Sequence, residues 1–146
     1  MTSTQQFQQL LQGDAKTELS QLDALFDTLP AISEAAMLGE WTGGVFRTGH
    51  PGERQLAALQ WGGKTFRSRD DVDPIVSVSA TGERSANPIM GAATLRMVEY
   101  RGVVTATMVY DQHPVMDHFR QIDDTTVLGV MIKKGDTIPL YFYLQR

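Results

Sequence analysis

The chain has 146 residues, no cysteine and a formal net charge of −4 at pH 7, and this length is typical of one domain. The absence of cysteine excludes a disulfide framework, a thiol nucleophile and thiolate-held metal or iron–sulfur centres. The chain has no basic cluster longer than Lys133 and Lys134 and no apolar run of the about 18–20 residues that a membrane span needs. We therefore expect no nucleic-acid partner, no membrane span and a cytoplasmic location.

Residues 1–32 are predicted to form a helical cover over the rest of the chain. A short helix is predicted over residues 5–12, and a second helix is predicted to begin after Asp14 as its N-cap and to end at Pro30. The apolar residues of the second helix recur at spacings of three and four, at Leu19, Leu22, Phe26 and Leu29. We favour packing of this apolar stripe on the main body over contact with a partner.

From residue 33 to 146 the pattern changes to short strands, after one further helical turn over 33–38. Strands are predicted over 41–47, 60–67, 75–80, 93–101, 103–110, 114–122, 126–133 and 138–144, each separated by turn-forming residues. No segment is long enough for a crossover helix, so the last five strands should form an antiparallel meander. The predicted fold is mainly β (α+β): a lipocalin-like antiparallel barrel of about eight strands with one or two N-terminal helices. Residues 1–32 and 33–146 are expected to form one globular unit.

Several motifs in order resemble two families. Residues 38–46 contain Gly-x-Trp-x-Gly at Gly39, Trp41 and Gly43, and TGHP at 48–51 and WGGKTF at 61–66 follow. These resemble the bacterial family named after its GXWXG motif. The segments LRMVEYRGV at 95–103, MVYD at 108–111, DHFR at 117–120 and VLG at 127–129 resemble the domain-of-unknown-function family usually fused after it. The resemblance runs from about residue 22 to 144 and implies little about activity, since both families are named for sequence.

The Gly-x-Trp element is also similar to the first strand of lipocalins, fatty-acid-binding proteins and haem-binding nitrobindin-like barrels. In those barrels the tryptophan plugs one end and often stacks on an arginine from a late strand. The resemblance implies the same role for Trp41, with Arg120 or Arg146 as the stacking partner. We favour a structural plug over a ligand contact for Trp41.

The hairpin over residues 95–110 can be laid out if Arg101 and Gly102 form a two-residue turn. The more apolar face, which should point inward, then holds Leu95, Met97, Glu99, Val104, Ala106, Met108 and Tyr110. Glu99 would lie at the inner rim. It is either a solvated turn residue that can pair with Arg101, or a polar group in a ligand pocket.

The strand over residues 115–122 carries ionisable groups on both faces. One face holds Val115, Asp117, Phe119 and Gln121, and the other holds Met116, His118, Arg120 and Ile122. Which face points inward stays open. An inward Asp117 would have a raised pKa and could act as a general acid or base, and His118 could serve in the same role. The alternative is an Asp–Arg pair that stabilises the sheet.

The remaining candidate residues are a group of ligand contacts and one set of metal ligands. We expect ligand contacts from Trp41, His50, Trp61, Met97, Met108, Tyr110, Arg120 and Tyr141. A metal site from Asp111, His113, Asp117 and His118 is not favoured, because neighbouring residues on a strand point to opposite faces. We expect no metal and no cofactor, since the chain also lacks Gly-x-Gly-x-x-Gly and a phosphate loop.

Three functions remain. The leading hypothesis is that the barrel binds a small hydrophobic metabolite, such as a lipid, a terpenoid or a polyketide-like molecule. The second is a cofactor-free isomerase, cyclase or hydratase/lyase, in which Asp117 or His118 transfers protons while Glu99 or Arg120 holds the substrate. The third is an interaction protein with a filled core, whose helices associate in a homodimer. A cavity of a few hundred Å3 between the strands would distinguish the first two from the third.

Overall fold

The strands alternate in direction and close into a barrel, with helices on one side and across both ends. The computed structural model describes residues 1–13 and 16–146, so the predicted N-cap Asp14 lies outside the described residues. The helices are α1 (Ser3–Gln12), α2 (Leu19–Thr28), α3 (Glu34–Met37) and α4 (Gly52–Ala58). The strands are β1 (Gly39–Val45), β2 (Trp61–Ser68), β3 (Asp71–Val78), β4 (Arg84–Ala86), β5 (Ala93–Tyr100), β6 (Val103–Tyr110), β7 (Val115–Asp123), β8 (Thr126–Lys133) and β9 (Leu140–Gln145).

Eight of these strands form the barrel, in the order β1-β9-β8-β7-β6-β5-β3-β2, and β2 pairs back with β1. The strand pairs are antiparallel, and the short strand β4 adds to β3 outside this ring. The predicted fold class is confirmed, and so is the meander of the last five strands. Closure leaves few unpaired strand edges, which in an open sheet promote aggregation.

The turn between β5 and β6 has the geometry that the sequence predicts. Tyr100 pairs with Val103, so Arg101 and Gly102 form a two-residue loop. Both loop residues have positive φ, 51° at Arg101 and 84° at Gly102. Positive φ at both central positions matches the right-handed twist of a hairpin. This local turn sets the register of the whole β5–β6 ladder.

The segment over residues 30–32 enters the gap between β6 and β7. The ladder between these strands runs only from Thr107 to Val109. Beyond it, the Ala106 N–H donates to the carbonyl of Ile32 and the Gln121 N–H donates to the carbonyl of Pro30. These bonds satisfy backbone groups that the separation of the strands would leave unpaired. The chain thereby passes from α2 on the outer surface to α3 at the end of the barrel.

Apolar side chains form two clusters, one inside the barrel and one under the helices. The inner cluster includes Trp41, Phe66, Met108, Phe119 and Phe142. The outer cluster, between α1, α2 and the outer face of the sheet, includes Phe7, Leu22, Phe26, Phe46 and Tyr141. The helices therefore cover the barrel as predicted. Among the described residues, no helix is both long and apolar enough to cross a membrane.

The inner face predicted for the β5–β6 hairpin is only half correct. Leu95, Ala106 and Met108 are fully buried in the inner cluster. Met97 and Val104, which follow the same alternation, are 43% and 55% exposed. The tip of the hairpin continues past its neighbouring strands, because β3 pairs with β5 only at Val72 and Ala93 and the β6–β7 ladder ends at Thr107.

Two of the α-helices and strands named above were not predicted. The sequence around Pro51 indicated a turn, but α4 begins at Gly52 and lies across one end of the barrel. Its seven residues are too few to show a helical repeat of apolar positions. The strand β4 has three residues and pairs only with β3, so it carries no alternation that the sequence could reveal.

The helical cover gives a first prediction. Phe26 is fully buried, edge-to-face with Tyr100 and Tyr141 and under the guanidinium of Arg120. We expect Phe26→Ala to lower the free energy of unfolding by about 3–5 kcal/mol, because it opens a cavity under α2. Urea unfolding followed by circular dichroism measures this. The control Val104→Ala, at the exposed hairpin tip, should change it by about 0.5 kcal/mol or less, and equal losses in both variants would contradict the prediction.

Candidate functional site

A lysine and an aspartate form an ion pair across the inside of the barrel. The Lys64 Nζ atom lies 3.1 Å from Asp117 Oδ2, and the two residues are 2% and 1% exposed. Lys64 belongs to β2 and Asp117 to β7, which are four strand positions apart in either direction around the ring. The pair therefore connects opposite walls of the barrel. The sequence indicated an arginine as the structural partner of Asp117, but the partner in the structure is a lysine.

The position of Lys64 depends on an irregularity between β2 and β3. The register passes from Gly63–Val76 to Thr65–Asp73, so Lys64 lies opposite two residues, Pro74 and Ile75. A proline has no N–H for the ladder and is placed at bulges for that reason. Here the carbonyl of Pro74 accepts a hydrogen bond of 3.0 Å from Lys64 Nζ. The local irregularity of β3 thus supplies the second partner of the buried ammonium group.

Aromatic rings complete the surroundings of the ammonium group. Lys64 Nζ lies 5.5 Å from the ring centroid of Trp61, 5.2 Å from that of Phe142 and 5.9 Å from that of Tyr110. The faces of aromatic rings attract cations. Trp61 is half-buried, and its Nε1–H donates to the same Pro74 carbonyl at 3.3 Å. The cation is therefore compensated on several sides.

The carboxylate of Asp117 is less well satisfied than its cation. Its Oδ2 atom contacts Lys64, whereas its Oδ1 atom is buried and has no hydrogen-bond partner among the described residues. Burial raises the pKa of the Asp117 carboxyl and lowers the pKa of the Lys64 ammonium, and the attraction between the two opposes both shifts. Burial also raises the pKa of Tyr110, and the charge of Asp117 adds to this effect. An unused acceptor therefore lies in an apolar interior.

Next to the ion pair, an apolar cavity of about 80 Å3 lies beneath α4. Its lining includes Leu56, Leu59, Met90, Tyr110, Val115 and Met131. Val115 is two residues before Asp117 on the same face of β7, and Met131 is the register partner of Asp117 on β8. The cavity wall is thus one residue layer from the ion pair. The volume is well below the few hundred Å3 that would distinguish the two ligand hypotheses from a filled core, so the barrel in this conformation meets the criterion of the filled core.

The loop before α4 is fixed by polar contacts. The Gly52 N–H donates to His50 Nδ1 at 2.8 Å, so the proton of the neutral imidazole is on Nε2, which donates to Asp136 Oδ2 at 2.7 Å. Glu53 Oε2 accepts from the backbone N–H groups of residues 48–50. His50 therefore ties the start of α4 to the loop between β8 and β9. It orders a loop beside the cavity and does not line it.

The structure does not bring together the three residues predicted to be catalytic. Asp117 points into the barrel, which answers the open question about β7. His118 points outward, stacked on Tyr100 at 4.3 Å, with Nδ1 at 2.9 Å from Thr107 Oγ1. Burial lowers the pKa of His118 to about 4. Glu99 is exposed at the hairpin tip, where its carboxylate accepts a hydrogen bond from the Gly102 N–H.

Two predicted ligand contacts attach the helical cover instead of facing the interior. Arg120 donates to the carbonyls of Phe26 and Tyr100, and its guanidinium lies 4.5 Å from the ring centroid of Phe26. Its Nε atom has no hydrogen-bond partner among the described residues and is buried under α2, on the other side of the wall from the cavity. The Tyr141 hydroxyl donates to Asp23 at 2.6 Å. Met97, at the exposed tip, also lies away from the interior.

Trp41 occupies the end of the barrel opposite α4. It is 1% exposed, and its Nε1–H donates to the carbonyl of Met37 in α3 at 2.8 Å. The guanidinium carbon of Arg146 lies 4.0 Å from the centroid of its ring. Of the two arginines considered, Arg146 is therefore the one that stacks. This geometry is that of a plug that closes one end.

Comparisons with known proteins agree with this geometry. Residues 24–82 match the family described as GXWXG protein, and residues 91–146 match the domain of unknown function DUF4334. The solved "Crystal structure of protein from Thermomonospora curvata" is 36% identical over 100% of this chain and 99% of that chain, with a TM-score of 0.91. The chain thus carries a GXWXG segment followed by a DUF4334 segment. A comparison with curated proteins gave no match.

The geometry explains the glycines of the Gly-x-Trp-x-Gly motif. Gly39 has φ of 124°, a conformation that residues with a Cβ rarely adopt. A Cβ atom at Gly43 would lie 2.7 Å from the carbonyl oxygen of Tyr143 and 2.8 Å from the Trp61 ring. One glycine thus allows the chain to turn into β1 and the other allows close packing. Trp41, between them, is the plug.

Lys64 is the site residue that the sequence reasoning missed. It lies within the WGGKTF motif, and alternation places it on the same face of β2 as Phe66, which is 1% exposed. A cation on the inward face of an aromatic strand was the available signal. Its partner, Asp117, belongs to the DUF4334 segment, so the pair joins the two family segments of the chain.

The ion pair gives a second prediction. We expect Lys64→Met to lower the free energy of unfolding at pH 8 by about 3–5 kcal/mol, because it leaves a buried carboxylate without its cation. The pKa of Asp117 is already raised above the 3.8 of the unfolded chain, and loss of Lys64 raises it further. Because the pKa of Asp117 is higher in the folded than in the unfolded chain, its protonated form favours the folded state below pH 3.8. This contribution to stability is lost as the pH rises through the folded-state pKa of Asp117. The deficit relative to wild type should therefore be smaller at pH 5 than at pH 8 in urea unfolding.

The matched control removes both charges. Lys64→Met combined with Asp117→Leu should recover most of the lost stability at pH 8, since an apolar pair can replace a buried ion pair without loss. A deficit that does not depend on pH, or a double variant as unstable as the single one, would contradict the prediction.

Proposed function

We propose that this protein reversibly binds a small apolar molecule inside the barrel, at the end covered by α4. The observation that carries the proposal is an apolar cavity one residue layer from a buried carboxylate oxygen that has no partner. Binding sites for small molecules are mostly apolar and hold a few well-placed polar groups. Tyr110, Met131 and Val115 are the apolar contacts, and Lys64 with Asp117 are the polar ones. Of the residues predicted from sequence, Tyr110 lines the cavity, while Met108 lies beside Asp117 on β6.

The energetics of the ion pair favour this function over a filled structural core. Two charges removed from water lose hydration, and apolar residues of similar size are often at least as stabilising. A structural barrel gains nothing from the unpaired Asp117 Oδ1 atom, which costs about 1–3 kcal/mol or more while it is unsatisfied. A ligand that supplies the missing hydrogen bond removes this cost. The polar groups are therefore better explained by a bound molecule.

Access is supported at the α4 end only. At the other end, Trp41 is held by Met37 and Arg146. The start of α4 is held by His50 and Glu53, whereas Leu56, further along, makes apolar contacts with the barrel. Because the cavity measures about 80 Å3, any ligand larger than a few carbon atoms requires α4 to move away from the barrel. We propose that α4 pivots about its fixed start.

The second candidate is a cofactor-free acid–base enzyme. It is favoured by the raised pKa and the unpaired oxygen of Asp117, which suit a group that accepts a proton from a bound substrate. In this candidate Asp117 transfers the proton, and Lys64 holds the substrate in place of Glu99 or Arg120. Asp117→Asn would then abolish turnover while binding of the substrate persists, and unchanged turnover would exclude Asp117 from the mechanism.

Two further expectations stay predictions. The first is the cytoplasmic location. A homodimer formed through the helices has the exposed outer sides of α1 and α2 as its candidate surface, and sedimentation equilibrium would measure it.

Ligand binding gives a third prediction. Met131→Trp should fill the cavity, and we expect it to weaken binding of hexan-1-ol at least tenfold, or about 1.4 kcal/mol, in titrations of 15N-labelled protein followed by NMR. The matched control is Met97→Trp, at the exposed hairpin tip, which should bind hexan-1-ol as the wild type does. In addition, native mass spectrometry of protein from its own host should show a bound apolar molecule. Circular dichroism verifies that both variants are folded, and equal affinities in the two variants would overturn the proposed location.

A further inference from the structure

The main unused hydrogen-bonding capacity of the buried ion pair is that of an acceptor. Lys64 has three N–H donors. Two of them have oxygen partners, Asp117 Oδ2 and the Pro74 carbonyl, and the remaining donor lies among three aromatic rings whose faces attract the cation. The Asp117 carboxylate has one oxygen with a partner and one without. A molecule that reaches this pair therefore gains most by donating a hydrogen bond.

The charge of the pair restricts the ligand further. Lys64 and Asp117 together are neutral, and both are almost fully buried. A ligand carboxylate would place a second anion beside Asp117 with only one cation to compensate both, which an apolar interior strongly disfavours. A ligand ammonium group would create the converse imbalance with Lys64. A neutral head group avoids both.

Among neutral head groups, a hydroxyl fits better than an ether. A hydroxyl donates one hydrogen bond and accepts others, so it can donate to Asp117 and accept from a donor such as the phenol of Tyr110, which lines the cavity. An ether of the same size can only accept. Hydrogen bonds to a charged group are also stronger than those between neutral groups.

We infer that the ligand is a neutral apolar alcohol whose hydroxyl donates to Asp117 Oδ1, and not a carboxylic acid or an amine. The inference rests on the binding site proposed above, since it specifies the head group of the molecule bound there. Binding then satisfies the carboxylate oxygen that has no partner in the closed barrel.

Two isomers test the head group at constant size. Hexan-1-ol and 1-methoxypentane have the same formula, and hexanoate carries a negative charge at pH 7.5. We expect NMR titrations of the wild-type protein to show hexan-1-ol bound about tenfold or more tightly than 1-methoxypentane. Hexanoate should bind most weakly of the three.

Two variants serve as controls. The double variant Lys64→Met with Asp117→Leu should bind the two isomers within about twofold of each other, because it keeps an apolar site without the acceptor. Asp117→Asn keeps the size of the side chain and supplies an N–H donor. This variant should shift the binding preference from hexan-1-ol toward 1-methoxypentane. It serves as a second test of the preference if the double variant does not fold.

The outcomes separate the inference from the function on which it rests. Equal affinities of the wild type for the two isomers, or tightest binding of hexanoate, would overturn the inference that the ligand is an alcohol. The proposed binding site would not be affected by either result. No binding of any of the three probes would overturn the proposed site itself. A preference for the alcohol that persists in both variants would show that Asp117 does not receive the hydroxyl.

Discussion

The ion pair between Lys64 and Asp117 is the constraint on which the rest of the structure depends. It spans the barrel between β2 and β7 and joins the GXWXG segment to the DUF4334 segment. Because side chains alternate between the two faces of a strand, a shift of either strand by one residue would move one charge to the outer face. The other charge would then stay buried alone, at a cost of several kcal/mol. The pair therefore favours one register on two opposite walls.

The two faces of β7 divide the molecule into two chemical regions. Asp117 and Phe119 face the interior, where an unpaired acceptor adjoins an apolar cavity. His118 and Arg120 face outward, where they are buried against β5, β6 and α2. Each face keeps one buried polar atom without a hydrogen-bond partner among the described residues, Asp117 Oδ1 inward and Arg120 Nε outward. Only the inward atom adjoins an apolar cavity, and this difference places the candidate site inside the barrel.

The parts of the fold that could be predicted depend on residues close together in the chain. The turn at Arg101 and Gly102 follows from neighbouring residues, and its register determines the β5–β6 ladder. The resemblance of a short motif to known barrels implied that Trp41 is a plug stacked on a late arginine, and left Arg120 and Arg146 as alternatives. The position of α4 could not be predicted, because its seven residues lack a repeat. The exposure of Met97 could not be predicted either, because it depends on where the pairing between β3 and β5 ends.

By itself, the sequence determined the alternating strands, the turns, the barrel class and the presence of charged groups on strand 115–122, since these follow from local periodicity and turn chemistry. Only the tertiary structure decided that Asp117 is the inward charge, that Lys64 is its partner and that His118 and Glu99 lie elsewhere. Lys64 and Asp117 are 53 positions apart in the chain, and closure of the barrel brings them to 3.1 Å. Alternation shows which residues share a face, but the pairing of distant strands selects the face that is buried.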